Sequence, residues 1–134
     1  MNNTIDKPEL VGICALLVHA AKIDDSYHEN EKKIILSFIK KSNSKIEKPD
    51  LVLKEGEELE NNSNQLLSFT NIIKKNSLES KSVIIKELWK IIISDDEIDE
   101  YESNLIRRIC GLIYFPDKLN GEIKLAVINE RKSK

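Results

Sequence analysis

The chain has 134 residues, a length that fits one domain with a single hydrophobic core. Its residues are 40% hydrophobic and 33% charged, and the 4 glycines and 3 prolines are too few turn formers for an all-β protein. The net charge of -2 gives no overall positive field, which argues against a nucleic-acid-binding or anionic-membrane-binding protein. We expect one all-α domain over residues 1–134.

The first two predicted helices contain the most apolar stretch of the chain. Asp6, as an N-cap before Pro8, opens a helix that runs to about Ile23 and is apolar nearly all round, so it should be central. The apolar run from Leu10 to Ala21 is too short to cross a bilayer. A second helix from about Tyr27 to Lys41 has one apolar face, formed by Ile34, Ile35, Phe38 and Ile39.

Five further segments carry helix signals. A third, acidic segment from Pro49 to about Asn61 is interrupted by Gly56, and a short fourth follows at 65–75. Ser77 opens a fifth helix, whose core stripe is Ile84, Ile85, Leu88, Trp89 and Ile92. The sixth, "YESNLIRRICGLIYF", ends before Pro116, and the seventh begins after that proline and frays into a basic tail.

Several single residues have a structural interpretation that we favour. Cys14 and Cys110 lie in apolar helical patterns and should be buried free thiols. His19 should be a hydrogen-bonded structural histidine of the first helix. The core should also contain the aromatic residues Phe38, Phe69, Trp89, Tyr114 and Phe115.

The N-terminal residues do not resemble a secretory signal. Asp6 and Glu9 outweigh Lys7 where such a signal carries positive charge, so we expect a cytoplasmic protein.

An internal repeat is the most informative feature of the sequence. Residues 17–39, "LVHAAKIDDSYHENEKKIILSFI", align at an offset of 71 with residues 88–110, "LWKIIISDDEIDEYESNLIRRIC". The identical pairs are Leu17/Leu88, Asp24/Asp95, Asp25/Asp96, Glu29/Glu100, Glu31/Glu102 and Ile35/Ile106. Each copy reads as helix, acidic turn, helix, so the fold should contain two pseudo-symmetric helical hairpins.

The acidic turns have two interpretations. Asp99 as an N-cap and Glu102 three residues later form a capping box that needs no ligand. Capping leaves Asp95, Asp96, Glu97 and Glu100 unexplained, and crowded carboxylates repel each other unless a hard cation with oxygen ligands lies among them. Both interpretations stay open.

Known site patterns do not fit this stretch. With Asp95 at loop position one, an EF-hand would need glycine at Glu100 and glutamate at Ile106. The helical Glu-x-x-His pairs of di-iron bundles, the nucleophile elbow, the Walker loop and the CxxC pair do not occur. Aromatic residues make up only 5% of the chain, too few to line a carbohydrate cleft.

The first copy of the turn should bind a hard cation more weakly than the second. His28 replaces the aspartate found at 99, and a neutral imidazole is a poor ligand for calcium or magnesium. His28 is an exposed first-turn residue in one interpretation and a ligand beside Asp24 and Glu31 in the other. The candidate metal ligands are therefore Asp95, Asp99 and Glu102 in the second turn, and Asp24, His28 and Glu31 in the first.

The two acidic turns resemble the doubled "AxADGxxDxxExxxI" signature of TerB-like (tellurite resistance protein B-like) domains. The matching stretches are "KIDDSYHENEKKI" and "ISDDEIDEYESNLI", and the second leads into "RRICGLI" as in the family. Asp25 and Asp96 stand where the family usually has glycine, and aspartate tolerates a left-handed backbone better than most residues. The resemblance covers essentially the whole chain.

The resemblance implies a cytoplasmic, non-catalytic domain linked to tellurite resistance and stress responses. It also implies a divalent-cation site, for which calcium or magnesium is favoured over zinc, and a protein partner at membrane-associated complexes without insertion into the membrane. The alternatives are a co-chaperone-type interaction domain whose acids only cap helices, and a metal-dependent hydrolase. The sequence does not indicate an oligomeric state.

Overall fold

The computed structural model describes residues 5–23, 28–62, 66–93 and 100–132, with the backbone alone at 23, 66–68, 93, 100–103 and 131–132. Within these ranges the chain forms helices and no strand. The helices are α1 (Lys7–Ile23), α2 (Glu29–Ser42), α3 (Pro49–Asn61), α4 (Leu66–Ile73), α5 (Leu78–Ile93), α6 (Glu100–Leu112) and α7 (Asp117–Lys132). The predicted all-α bundle of about seven helices is confirmed.

The helices begin where the capping signals place them. The amide of Leu10 donates to the carbonyl of Asp6, so Asp6 is the N-cap of α1. The hydroxyl of Ser77 accepts a hydrogen bond of 3.2 Å from the amide of Ser80 and thereby caps α5. Helix α2 begins at Glu29 rather than at Tyr27, a residue outside the described ranges.

Helix α1 is the centre of the bundle, as its apolar sequence predicts. It packs against helices α2 to α6, and its residues 12–18 are all buried. Helix α5 is the second central element and contacts α1, α2, α6 and α7. Its predicted core stripe is buried, from Ile84 at 0% exposed to Ile92 at 5%.

Gly56 does not interrupt α3, contrary to the expectation from the sequence. The helix is continuous from Pro49 to Asn61, and Gly56 is buried in its middle. A Cβ atom at Gly56 would lie 2.7 Å from the Cβ of Cys14 and 3.3 Å from the backbone nitrogen of Ala15. The missing side chain therefore lets α3 pack closely on α1, and this packing outweighs the low helix propensity of glycine.

The internal repeat reappears in the helix boundaries. Helices α1 and α5 begin at Lys7 and Leu78, which are 71 residues apart. Helix α2 begins at Glu29, and its counterpart Glu100 is the first described residue of α6. Each copy thus has a helix on both sides of its acidic turn, as the sequence predicts. Both acidic turns, at 24–27 and 94–99, lie outside the described residues.

The expectation that Tyr114 belongs to the core is wrong. Tyr114 is 74% exposed and, with φ of 60°, lies in the left-handed region just after α6. The next amide, that of Phe115, donates to the carbonyl of Cys110 at 2.8 Å, which is the Schellman pattern of a helix end. The left-handed residue reverses the chain, so Phe115 rather than Tyr114 enters the core.

Candidate functional site

The start of α2 is the part of the candidate site that the structure describes best. His28 is the N-cap, with an extended backbone, and Glu31 is the third residue of the helix. The carboxylate of Glu31 accepts a hydrogen bond of 2.9 Å from the backbone amide of His28. In a capping box, this is the hydrogen bond in which the side chain of the third helical residue accepts from the backbone amide of the N-cap. Glu31 forms it although the residue is only 5% exposed.

Glu102 occupies the same helical position in the second copy. Glu102 is the third residue of α6, as Glu31 is of α2, and Asp99 immediately precedes α6 as His28 precedes α2. Because Asp99 lies outside the described residues and the side chain of Glu102 is not described, the assignment of Asp99 as an N-cap and Glu102 as its partner stays a prediction.

Most of the predicted ligands cannot be placed relative to one another. Asp24, Asp95 and Asp99 lie outside the described residues, and the side chain of Glu102 is not described. Of the six candidates, the structure brings together only His28 and Glu31. Among the described residues no group of three histidine, cysteine, aspartate or glutamate side chains forms a metal site.

An ion pair and a hydrogen bond of Glu60, neither of which the sequence analysis predicted, join α3 to α1. Glu60 places one carboxylate oxygen 2.7 Å from the Nζ of Lys22 and the other 3.2 Å from the Nδ1 of His19. His19 also contacts the ring of Phe69, with ring centroids 6.0 Å apart. His19 is therefore the hydrogen-bonded structural histidine that was predicted.

Three acids of α3 form ion pairs with neighbouring helices. Besides the Glu60 contacts, Glu57 lies 3.9 Å from Lys32 of α2, and Glu55 lies 3.6 Å from Lys7 of α1. The signal that could have revealed them is the series of acids at 55, 57, 58 and 60 opposite basic residues on α1 and α2. Glu55, Glu57 and Glu60 thus join α3 to α1 and α2.

The two cysteines are confirmed as buried free thiols. Burial raises the pKa of Cys14 from 9.0 to about 12. Burial, followed by the negative charge of Asp117, raises the pKa of Cys110 to about 12 as well. Because only the thiolate is a good nucleophile or metal ligand, neither side chain can serve as one near neutral pH.

The start of α2 can position a carboxylate, but the described residues around it hold no activated nucleophile. Glu31 offers oxygen atoms that suit a helix cap or a hard cation equally. The described helices include none that is long and apolar enough to cross a membrane.

Comparison with known proteins gives one match. The family model described as "Tellurite resistance protein TerB" matches residues 10–125, which include both acidic turns and most of all seven helices. No curated protein and no solved structure matches the chain. A match over most of the chain shows the family and confirms the resemblance found in the sequence. The chain belongs to the tellurite resistance protein TerB family.

Proposed function

We propose that this TerB domain is a non-catalytic module that holds a divalent cation in its acidic turns and acts in tellurite resistance or a related stress response. The observation that carries the proposal is the duplicated acid pattern, which is repeated at an offset of 71 residues and leads into α2 in the first copy and α6 in the second. In this proposal the domain acts in the cytoplasm through a protein partner, at membrane-associated complexes and without inserting into the bilayer.

Capping alone does not account for the second turn. An N-cap and its partner use Asp99 and Glu102, which leaves Asp95 and the neighbouring acids 96, 97 and 100 without a role in the cap. A calcium or magnesium ion takes oxygen ligands and relieves the repulsion of such a cluster. Zinc is less suitable because its protein sites favour nitrogen and sulfur ligands, whereas the acids of the second turn offer oxygen alone.

The second turn should be the stronger site. Asp99 in the second turn is replaced by His28 in the first, and a neutral imidazole is a poor ligand for a hard cation. The second turn would therefore be bound by Asp95, Asp99 and Glu102. The first turn would offer Asp24 and Glu31 as ligands, and His28 would be a weak ligand at most.

The second candidate function is a protein-interaction domain whose acids only cap helices. The observation that favours it is the hydrogen bond from His28 to Glu31, which shows one of the acids engaged as a cap. Hydrolysis at a bound metal is less well supported, because no base or nucleophile accompanies the acids in the sequence pattern and the thiols are inert.

Substitution of glutamate by glutamine separates the two candidates. Glutamine still accepts the capping hydrogen bond but removes the charge that a cation needs, so Glu102→Gln and Glu31→Gln preserve the cap and weaken the cation site. Glu79→Gln is the matched control, since Glu79 is a first-turn acid of α5 outside both acidic turns.

The readout is thermal unfolding of chelator-treated protein with and without calcium or magnesium. A cation at about a hundred times its Kd should stabilise the wild type and Glu79→Gln by about 2.7 kcal/mol. Glu102→Gln should lose most of this effect and Glu31→Gln a smaller part. If no cation shifts the unfolding of the wild type, the cation proposal fails and the capping candidate stands.

A further inference from the structure

A cavity between α5, α6 and α7 is not explained by the proposed cation site. Its volume is about 320 Å³, within the range of small-molecule pockets. The described residues that line it lie on α5, α6 and α7. The residues that line it are Trp89, Arg107, Asp117, Asn120, Gly121 and Lys124.

Asn120 presents a donor to this cavity. The side chain is only 8% exposed, and its carbonyl oxygen accepts a hydrogen bond of 2.9 Å from the indole Nε1 of Trp89. This bond sets the orientation of the amide and leaves the NH2 group as the part that Asn120 can offer to a ligand. Within the described ranges of the chain, no residue accepts a hydrogen bond from that NH2 group.

Two cationic side chains add to this donor. Lys124 lies one helical turn after Asn120, and its ammonium group is 5.2 Å from the centroid of the Trp89 ring, which holds it beside the cavity. Arg107 reaches the cavity from α6. As far as the structure describes the chain, neither Lys124 nor Arg107 forms an ion pair with an acid.

We propose that this cavity binds a small, soluble phosphate ester. Its three donor side chains are an amide, an ammonium and a guanidinium, which match the three terminal oxygens of a phosphate monoester better than the two oxygens of a carboxylate. The cavity is larger than a bare phosphate group, so space remains for the organic part of an ester. It also borders the first turn of α7, where the helix dipole favours an anion.

Asp117 repels such a ligand, so its substitution should change the affinity in the opposite direction to the loss of a cation. It is an exposed carboxylate on the lining of the cavity and would repel a phosphate group. Asp117→Asn should therefore tighten binding, by roughly threefold to tenfold, whereas loss of either cation should weaken it. A nonspecific surface effect of phosphate would not depend on these residues in this way.

The experiment is a titration of the full chain with inorganic phosphate and with glycerol phosphate, followed by tryptophan fluorescence and by calorimetry. Trp89 is the only tryptophan of the chain and lines the cavity, so its emission reports on binding there. The variants are Arg107→Gln, Lys124→Gln and Asp117→Asn. Arg108→Gln is the matched control, because Arg108 is an exposed neighbour on α6 that does not line the cavity.

We expect saturable binding that is tighter for glycerol phosphate than for inorganic phosphate. Arg107→Gln and Lys124→Gln should each weaken it about tenfold or more, with wild-type circular dichroism, while Arg108→Gln changes it little. Absence of both a heat signal and a fluorescence change would overturn the proposal. Equal weakening by Arg107→Gln and Arg108→Gln, or tighter binding of acetate than of phosphate, would overturn it too. None of these results bears on cation binding by the acidic turns.

Discussion

Replacing Gly56 by alanine should destabilise the protein, although alanine is the better helix former. The new Cβ would lie 2.7 Å from the Cβ of Cys14 and 3.3 Å from the backbone oxygen of Val11. These atoms belong to the backbone of α1 or are fixed to it, so no side-chain rotation removes the contact. Helices α1 and α3 would have to move apart.

The expected size of this effect combines two opposing contributions. Overpacking a core costs about 1–3 kcal/mol, and the gain in helix propensity returns about 1 kcal/mol. The free energy of unfolding should therefore fall by up to about 2 kcal/mol, which lowers Tm by up to roughly 8 °C for a chain of this size. Chemical and thermal denaturation followed by circular dichroism measure both quantities.

Gly121→Ala is the control for Gly56→Ala, because a Cβ at Gly121 meets no atom within 4 Å. The same substitution in the interior of α7 should stabilise the protein by about 0.5–1 kcal/mol. Opposite signs at the two glycines would support the close packing of α3 on α1. A stabilising Gly56→Ala would refute it.

Four further outcomes are expected. Tyr114→Gly should raise the free energy of unfolding by up to about 1 kcal/mol, because glycine adopts the left-handed backbone without strain. Urea denaturation measures this change, and a loss of stability would contradict the assigned helix end. Cys14 and Cys110 should resist a thiol reagent at pH 8 in the native protein and react once urea unfolds it; labelling of the folded protein at the unfolded rate would contradict their burial. The pKa of each thiol is higher in the folded state than in the unfolded state. The stability that the thiols contribute should therefore be complete below about pH 9 and fall as the pH rises toward 12. In urea titrations across this range, the free energy of unfolding should fall less for Cys14→Ala than for the wild type. Glu31→Ala should lower the free energy of unfolding by about 1 kcal/mol, because it removes the acceptor of the His28 amide. Glu31→Gln in metal-free buffer should lower it much less. Equal losses for the two variants in urea denaturation would contradict the cap.

Much of the fold follows from local sequence patterns. The apolar residues of α1 and the stripe of α5 predict which helices are central, and Asp6 and Ser77 mark where α1 and α5 begin. These signals are local, so they can be read without knowing the partners of each helix. The repeat also predicts which distant helices correspond to each other, and α1 and α5 indeed begin 71 residues apart.

The features that the sequence did not predict depend on tertiary contacts. Gly56 reads as a helix breaker until α1 is placed against it. Tyr114 and Phe115 are adjacent aromatic residues, and only the left-handed turn after α6 decides which of them is buried. The pairing of Glu60 with His19 and Lys22 needs the crossing of α3 over α1, which no local pattern specifies.

The candidate site was predicted only in part. The sequence predicts a capping box at Asp99 and Glu102, and the structure shows the equivalent hydrogen bond in the first copy, from the backbone amide of His28 to the carboxylate of Glu31. Whether the acids converge on a cation depends on the geometry of two turns outside the described residues, so cation binding stays a prediction. The cavity beside Trp89 had no sequence signal, because its lining residues come from three separate helices.

The most direct test of the proposed function is calorimetric titration of chelator-treated protein with calcium, magnesium, manganese and zinc. The wild type is compared with the Asp95→Asn/Asp99→Asn double variant, in which asparagine keeps the ability to cap a helix but loses the charge. We expect saturable binding of calcium or magnesium to the wild type and none to the variant. No binding of these two ions to the wild type, or equal binding to both proteins, would contradict a cation site in the second acidic turn.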